Sequence, residues 1–321
     1  MKVIITKEDL EKYSRLDKFL SEKLPDLSRS VVKQLFEAGE INCETQKLSL
    51  KKLPPENTEI SVNIPEAVDT EIKAENIPLD ILFEDEHLII VNKAAGMVVH
   101  PAPGNYTGTL VNAVLFHCND LTGIGGEKRP GIVHRLDKGT TGVMAVAKSA
   151  KAHEGMSKLF AEHDIERIYE TIVPAKNFPL TGRIESTIGR HPTNRLKQAI
   201  NVKAGKHAVT HFRKLDSYGP FHHIECQLET GRTHQIRVHL SVVERTPILF
   251  DQTYGNPAQD ILRLKKELKT EDEFVYEYPL LHAKTLGFVH PITKEKLHFS
   301  APRPKFFETL LEKLQVIKSE N

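Results

Sequence analysis

The stretch GIVHRLDKGTTGVMAVAK, residues 131–148, sets a His134-Arg135-x-Asp137 cluster against a Thr/Gly turn and an almost wholly apolar strand. Taken alone, an aspartate between a strand and Lys-Gly-Thr-Thr is a turn or cap residue. Its company argues for more. In extended chain, positions two apart face the same side, so Arg135 and Asp137 project together from a strand end that GIV and GVMAVAK anchor in the core. Such a frame holds a carboxylate rigidly.

Two further stretches bear on that carboxylate. In ETGRTHQIRVHL, residues 229–240, Thr233 is placed to cap a helix, with Ile236, Leu240 and Val243 facing the core at i, i+4, i+7. His234, Arg237 and Ser241 then share a polar stripe. The plainer reading of Arg237 is a solvated helix arginine; brought against Asp137, its guanidinium would keep the carboxylate ionised by charge pairing. The other stretch, RHPTNRLKQAINVKAGKHAVTHFRKL at 190–215, holds seven basic residues (Arg190, Arg195, Lys197, Lys203, Lys206, Arg213, Lys214) and no acidic one. Charge runs are usually solvated surface. The whole chain, however, carries 44 basic against 43 acidic side chains, so this concentration is local, and phosphate binding is its simplest use.

The rest of the chain sets the frame. Its 321 residues favour two domains over one. The three cysteines, Cys43, Cys118 and Cys226, show no C-x-x-C pair, disulfide framework or zinc spacing, which fits a reducing compartment. No run has signal-peptide or membrane-span character, so the chain reads as soluble and cytoplasmic. Residues 1–64 read as a small module. Ser14 caps a helix with Leu16, Phe19, Leu20 and Leu24 on one face, and Ser28 caps a second with Val31, Val32, Leu35 and Phe36 in a stripe that stops at Gly39. EISVNI closes the unit as a strand. The acidic, aperiodic stretch 65–77 is the expected linker, and 78–321 the second domain. There the segments DILF, HLIIVNK, GVMAVAK, RIYETIV, RIESTI, AVTHFRKL and HHIECQLET read as strands, the last with Ile224, Cys226 and Leu228 inward. TLVNAVLFH, SAKAHEGMSKLFAEH, THQIRVHLSVV and PKFFETLLEKL read as helices. Strands that follow one another without regular helical crossovers predict an α+β fold, with a mixed, largely antiparallel sheet.

Together these motifs resemble a known family. G-I-V-H-R-L-D-x-x-T-T-G, then R-x-Y-E at 167–170, T-G-R-T-H-Q-I-R-V-H and L-L-H-A at 280–283 are similar, in order and spacing, to the motifs of the RluA/RluD pseudouridine synthases. The N-terminal RLDKFLSEKLPDLSRSVVKQLFEAGEI resembles the small S-four-like RNA-binding domain, named after a ribosomal small-subunit protein. The segment RHPTNRLKQAINVKAGKHAVTHF further resembles the large-subunit synthase D branch. The resemblance implies the pseudouridine synthase fold behind a small α/β RNA-binding domain, and isomerisation of uridine to pseudouridine in 23S ribosomal RNA or a pre-ribosomal particle. It makes Asp137 the catalytic aspartate, Tyr169 the tyrosine against the target ring and Arg237 the partner of the carboxylate, and gives Arg135 the place the flipped base leaves in the stack. In TPILFDQTYG the chain keeps Asp251, Tyr254 and Gly255 but has Phe250 and Gln252 where the family often has Gly and Pro. The small module lacks the Asn-Gly and Gly-Asp turns common in its kind.

Residues expected to contact RNA are His134, Arg135, Arg190, Arg195, Lys197, Lys203, Lys206 and Arg232, with Arg29 and Lys33 in the small module. The base must leave its stack, at a few kcal/mol that phosphate contacts and Tyr169 stacking offset. No cofactor and no metal is expected, and a monomer suffices. Rival readings fare worse. DKGTTG has the wrong order for an aspartyl-phosphate loop, and no Asp-Asp or Gly-Asp pair follows to hold magnesium. TGIGGEKRPG lacks a Gly-Lys-Ser/Thr ending, and His207 and His211 lie in a strand without H-E-x-x-H. A different rRNA or tRNA target remains an alternative, as does a non-catalytic ribosome-assembly factor.

Overall fold

The computed structural model describes residues 1–24, 27–63, 72–102, 105–118, 121, 124, 130–194 and 196–319. Contacts separate two compact units, Met1–Thr70 and Glu71–Asn321.

The first unit runs β1 (Lys2–Ile4), α1 (Lys7–Lys12), α2 (Leu16–Lys23), α3 (Arg29–Glu37), β2 (Ile41–Asn42) and β3 (Glu59–Val62), its strands ordered β1-β3-β2. The helical stripes read from sequence form the core. Leu16, Phe19, Leu20, Val32 and Ile60 are fully buried, while Leu24, Val31, Leu35 and Phe36 pack around them. Ser28 Oγ accepts the Val31 N–H at 3.4 Å, and Gly39 ends α3 with φ +79°, a left-handed stop. Ser14 does not cap α2. Arg15 holds that position, and its guanidinium is engaged with the Asp17 carboxylate instead.

In the second unit the order is β4 (Ile81–Glu84), β5 (Leu88–Lys93), α4 (Leu110–His117), β6 (Thr141–Ala147), α5 (Ala150–Glu162), β7 (Glu166–Pro174), β8 (Thr181–Arg190), β9 (Gln198–Ile200), β10 (Lys206–Tyr218) and β11 (Phe221–Leu228). There follow α6 (Gln235–Val238), a π-helical turn (His239–Val243), α7 (Pro257–Leu268), β12 (Leu281–Val289), β13 (Lys296–Ser300) and α8 (Lys305–Ser319). The strands form one 10-stranded sheet, β4-β5-β6-β12-β7-β11-β10-β8-β9, with β13 on β12. The fold is therefore α+β and its sheet mostly antiparallel. Among the described strands only β6 and β12 run parallel, pairing Thr141 with His282 and Gly142 with Ala283. Backbones approach closely there: a Cβ on Gly142, which has φ +111°, would lie 2.1 Å from the Ala283 carbonyl. Across the same seam Thr141 Oγ1 bonds His282 Nδ1 at 2.9 Å, and His282 Nε2 reaches the Ala301 carbonyl at 3.2 Å. The histidine of LLHA thus clasps the sheet.

Two apolar cores flank this seam. One gathers Leu88, Ile90, Val114, Met144, Val146 and Met156, and the other Ile172, Ile224, Cys226, Leu240, Phe307 and Leu314. Tyr169 packs against both. In the stretch read as linker, the Lys73 carbonyl accepts from Asn112 Nδ2 at 2.7 Å, and Glu75 N–H donates to the Asn112 carbonyl at 2.9 Å. The glycine-rich TGIGGEKRPG lies largely outside the described residues. No helix among the described residues is long and apolar enough to cross a membrane.

The helix read over THQIRVHLSVV needs correction. Thr233 is not its cap; His234, at φ +57°, is, and α6 lasts one turn before the backbone widens into the π-helical segment. The wider turn breaks the i, i+4, i+7 stripe. Ile236 and Leu240 are buried as expected, but Val243 is 43% exposed.

Candidate active site

Asp137 sits in the extended segment just before β6, and its backbone is clamped from both sides. Thr140 N–H donates to the Asp137 carbonyl at 3.0 Å, and Gly96 N–H to the Lys138 carbonyl at 2.9 Å. Beneath lies Lys93, 1% exposed, whose ammonium donates to the carbonyls of Ala94 (2.8 Å), Met97 (2.9 Å) and Lys138 (3.3 Å). Burial pulls its pKa down to about 7, with the Asp137 charge opposing.

Arg237 reaches this carboxylate from α6, 100 residues away, with Nη1 3.2 Å from Asp137 Oδ2. Its other edge is taken by Asp251, Nε to Oδ2 at 2.8 Å and Nη2 to Oδ1 at 2.9 Å. Asp251 is fully buried, and its Oδ1 also accepts the N–H groups of Thr253 (2.9 Å) and Tyr254 (3.1 Å). Burial disfavours a charged guanidinium, but the bonds and charges of Asp251 and Asp137 outweigh it and raise the Arg237 pKa. A planar fork gripped along one edge by a buried carboxylate leaves its free corner fixed in direction. That corner points at Asp137. Phe250, the residue before Asp251, takes φ +63° where a glycine would rest freely. Its ring is fully buried against Tyr276 and Phe306, and its N–H donates to Asp260 Oδ2 at 2.9 Å, so packing holds the strained turn.

Tyr169 stands in β7, paired with Cys226 of β11 and Ala283 of β12. Burial pushes its hydroxyl up to about 12, so it is neutral at pH 7 and presents an aromatic surface. Asp137, Tyr169, Arg237, Arg135, His134 and Arg232 all line one cleft of about 240 Å³. They divide by exposure. Arg135 is exposed, whereas His134 turns inward, its Nε2 accepting the Ala145 N–H at 2.9 Å and its ring stacked 4.4 Å from Phe160. Burial, with Arg167 nearby, pulls His134 down to about 3, so it offers RNA no charge. Arg232 Nε is tied to the His207 carbonyl at 2.9 Å.

The basic residues of the hairpin formed by β8, β9 and β10 do not line the cleft. Arg190, Lys203 and Lys206 are exposed there, and Lys197 Nζ lies 5.7 Å from the Tyr254 ring centroid. Arg195 falls outside the described residues. In the N-terminal unit Arg29 is partly spoken for, Nη2 lying 2.7 Å from Asp17 Oδ2, and Lys33 is 3.4 Å from Glu37. Arg15 and then Arg29 hold the Asp17 carboxyl well below the usual carboxylate range.

Several participants carried no local sign of their role in the sequence. Asp251 stands in FDQTYG, but nothing nearby says that it grips Arg237. Lys93 and Tyr254 likewise join the site only through the fold, whereas His234 was marked by the polar stripe it shares with Arg237. Apart from it, Glu84, His117 and Cys118 bring donor atoms within 4.8 Å of one another. There Lys148 Nζ, 2.5 Å from Glu84 Oε1, already neutralises the carboxylate.

Comparisons with known proteins identify the family. Residues 87–242 match the model of a family described as RNA pseudouridylate synthase. The chain is 41% identical over 313 residues to the RNA pseudouridine synthase YlyB of Bacillus subtilis, covering 97% of each. It is also 41% identical over 310 residues to the ribosomal large subunit pseudouridine synthase D of Zymomonas mobilis, covering 94% of each. Among solved structures, human RNA pseudouridylate synthase domain containing 4 superposes with a TM-score of 0.58 at 27% identity, over 73% of this chain and 92% of that one.

Proposed function

Given that the chain belongs to the RNA pseudouridine synthase family and is an isomerase acting on RNA, we propose that its targets are uridines of 23S ribosomal RNA, free or in a pre-ribosomal particle, and that Asp137 is the reacting carboxylate. The observation that carries the second part is the Asp251–Arg237–Asp137 chain, which aims one guanidinium corner at one carboxylate on the wall of a base-sized cleft. Support for the ribosomal target comes from the likeness to the large subunit synthase D of Zymomonas mobilis and from the basic hairpin.

The reaction breaks the bond between ribose C1′ and uracil N1, turns the base within the cleft and joins C1′ to C5; the C5 proton leaves and N1 gains one. Nothing is oxidised or reduced, so the chemistry needs no cofactor. Asp137 acts at the sugar, either by attack on C1′ or by removing the 2′ proton to give a glycal. Tyr169 supplies a stacking surface for the base once it leaves the RNA stack, and Arg135 stands at the mouth of the cleft to fill the vacated space. The proposed working unit is a monomer. The cytoplasm, where ribosomal RNA is made and assembled, is the proposed site of action. In the small unit Arg29 and Lys33, each ion-paired yet about half exposed, are the proposed RNA contacts.

Mapping pseudouridines in ribosomal and transfer RNA from cells with and without the protein tests the target. Loss at large-subunit uridines is the expected result, and loss confined to tRNA overturns it. Restoring Asp137→Asn tests the aspartate: modification by that variant at the wild-type level removes Asp137 from the chemistry. RNA binding without any modification by the wild type favours an assembly factor.

A further inference from the structure

His234 lies between the hairpin and the reacting carboxylate, and its ring nitrogens face different partners. Nε2 is 3.7 Å from Asp137 Oδ2, on the cleft side. Nδ1 is 3.0 Å from the Tyr254 hydroxyl. That hydroxyl in turn accepts the backbone N–H of Gln198, in β9, at 2.7 Å. The direction of this chain follows from its fixed end. A backbone N–H can only donate, so the phenol oxygen is an acceptor toward Gln198. The phenol's one proton has His234 Nδ1 as the acceptor within reach among the described residues, and that pairing makes the hydroxyl the donor toward the ring. With Nδ1 accepting, the neutral ring carries its proton on Nε2, and Nε2–H faces Asp137.

The backbone supports the same reading. His234 is held at φ +57°, a left-handed conformation that is strained for a residue with a Cβ and persists where surrounding contacts fix it. Its ring meets Tyr254 edge-on at 5.6 Å between centroids, and Tyr254 also lies beneath the Arg237 guanidinium at 5.2 Å. One tyrosine thus braces both groups that face Asp137.

We propose that Tyr254 and His234 are positioning residues: a hydrogen-bond chain from the β9 backbone through the Tyr254 hydroxyl to His234 Nδ1 fixes the tautomer whose Nε2–H faces Asp137 across 3.7 Å, an electrostatic contact that orients the carboxylate toward the sugar. This rests on the reading of Asp137 as the reacting group. Burial lowers the His234 pKa, with Asp137 opposing, in keeping with a neutral ring.

The test uses the full chain and has two arms. Long-range ¹H–¹⁵N spectra of the RNA-free protein report which ring nitrogen of His234 is protonated. The Nε2–H form is expected in the wild type, and a mixture of tautomers in Tyr254→Phe, which keeps the ring but removes the hydroxyl. Protonation at Nδ1, or a tautomer indifferent to Tyr254→Phe, overturns the hydrogen-bond chain. In the kinetic arm Tyr254→Phe lowers kcat about tenfold with KM for RNA unchanged, as removal of an orienting partner does. His234→Gln, which retains an N–H donor, recovers part of the activity lost in His234→Ala. An unchanged kcat, or a rise in KM alone, overturns the proposal. Activity surviving in Asp137→Asn defeats the catalytic reading instead and leaves the spectroscopic result standing.

Discussion

The cleft and the basic hairpin use the same kinds of cation in opposite ways. In the cleft, Arg237 is nearly inaccessible and every edge of its guanidinium is turned to a carboxylate. On the hairpin, Arg190, Lys203 and Lys206 stand in solvent. A buried charge that is stripped of water must be paired, so its value is direction, and losing a partner is expensive. An exposed charge is screened and mobile, so its value is summed attraction for phosphate. Geometry therefore belongs to one region and affinity to the other.

Four substitutions test that division, beginning with the largest effect. Asp137→Asn removes the carboxylate charge at nearly constant shape. The single-turnover rate of pseudouridine formation falls on the order of 10⁴-fold while RNA binding survives; a matching loss of binding would erase the contrast between the regions. Asp251→Ala leaves Arg237 buried with half its partners, and the denaturant midpoint then shows a loss of about 3–4 kcal/mol together with activity. A stable, active variant would mean that the Arg237 anchor is dispensable.

Asp260→Asn sharpens the comparison inside the cleft's own support. Where Asp251 grips a guanidinium, this buried carboxyl accepts the Phe250 N–H, and burial raises its pKa to about 6. A carboxyl raised in the folded state contributes stability that is fully present below its unfolded value near 4, and that stability is lost as the pH climbs through about 6. Asp260→Asn therefore stabilises by about 2 kcal/mol at pH 8 and hardly at all at pH 4, read from urea midpoints at both pH values. Equal effects at the two pH values would remove ionisation as the cause. The smallest effect falls on the hairpin. Lys203→Glu with Lys206→Glu weakens RNA binding roughly tenfold at moderate salt and flattens its salt dependence, with the bound-state rate unchanged. An unaltered slope takes the hairpin out of the RNA interface.

Much of this was legible in the chain. Motif order led to Asp137, Tyr169 and Arg237, and the structure brings all three to one cleft. Alternation identified β11, and the helix read over PKFFETLLEKL is α8, with Phe307, Leu310, Leu311 and Leu314 buried and Phe306 partly so. The failures have physical origins. Val243 was placed inward because a helix was assumed to keep its 3.6-residue period, and the π-helical turn after α6 does not. His134, expected to contact RNA, lines the cleft but stacks its ring on Phe160, an arrangement its place beside Arg135 did not reveal. The strands β12 and β13 and the helix α7 were not anticipated, and Asp251 received no role. The pairing of β12 and β13 and the grip of Asp251 on Arg237 depend on residues distant in sequence, which local periodicity does not encode, whereas α7 does carry local signals in its Asn256 cap and Pro257.

The parallel seam has a consequence for how the molecule comes into being. Thr141 and His282, bonded across it, are 141 residues apart in the chain. In the sheet, β12 alone joins the half that carries Asp137 to the half from which Arg237 and Asp251 arise. During synthesis, at roughly 5–20 residues per second, the first half waits on the order of ten seconds for its partner strand to be made. An emerging chain thus holds a carboxylate without its guanidinium until β12 has been made and the two halves can join.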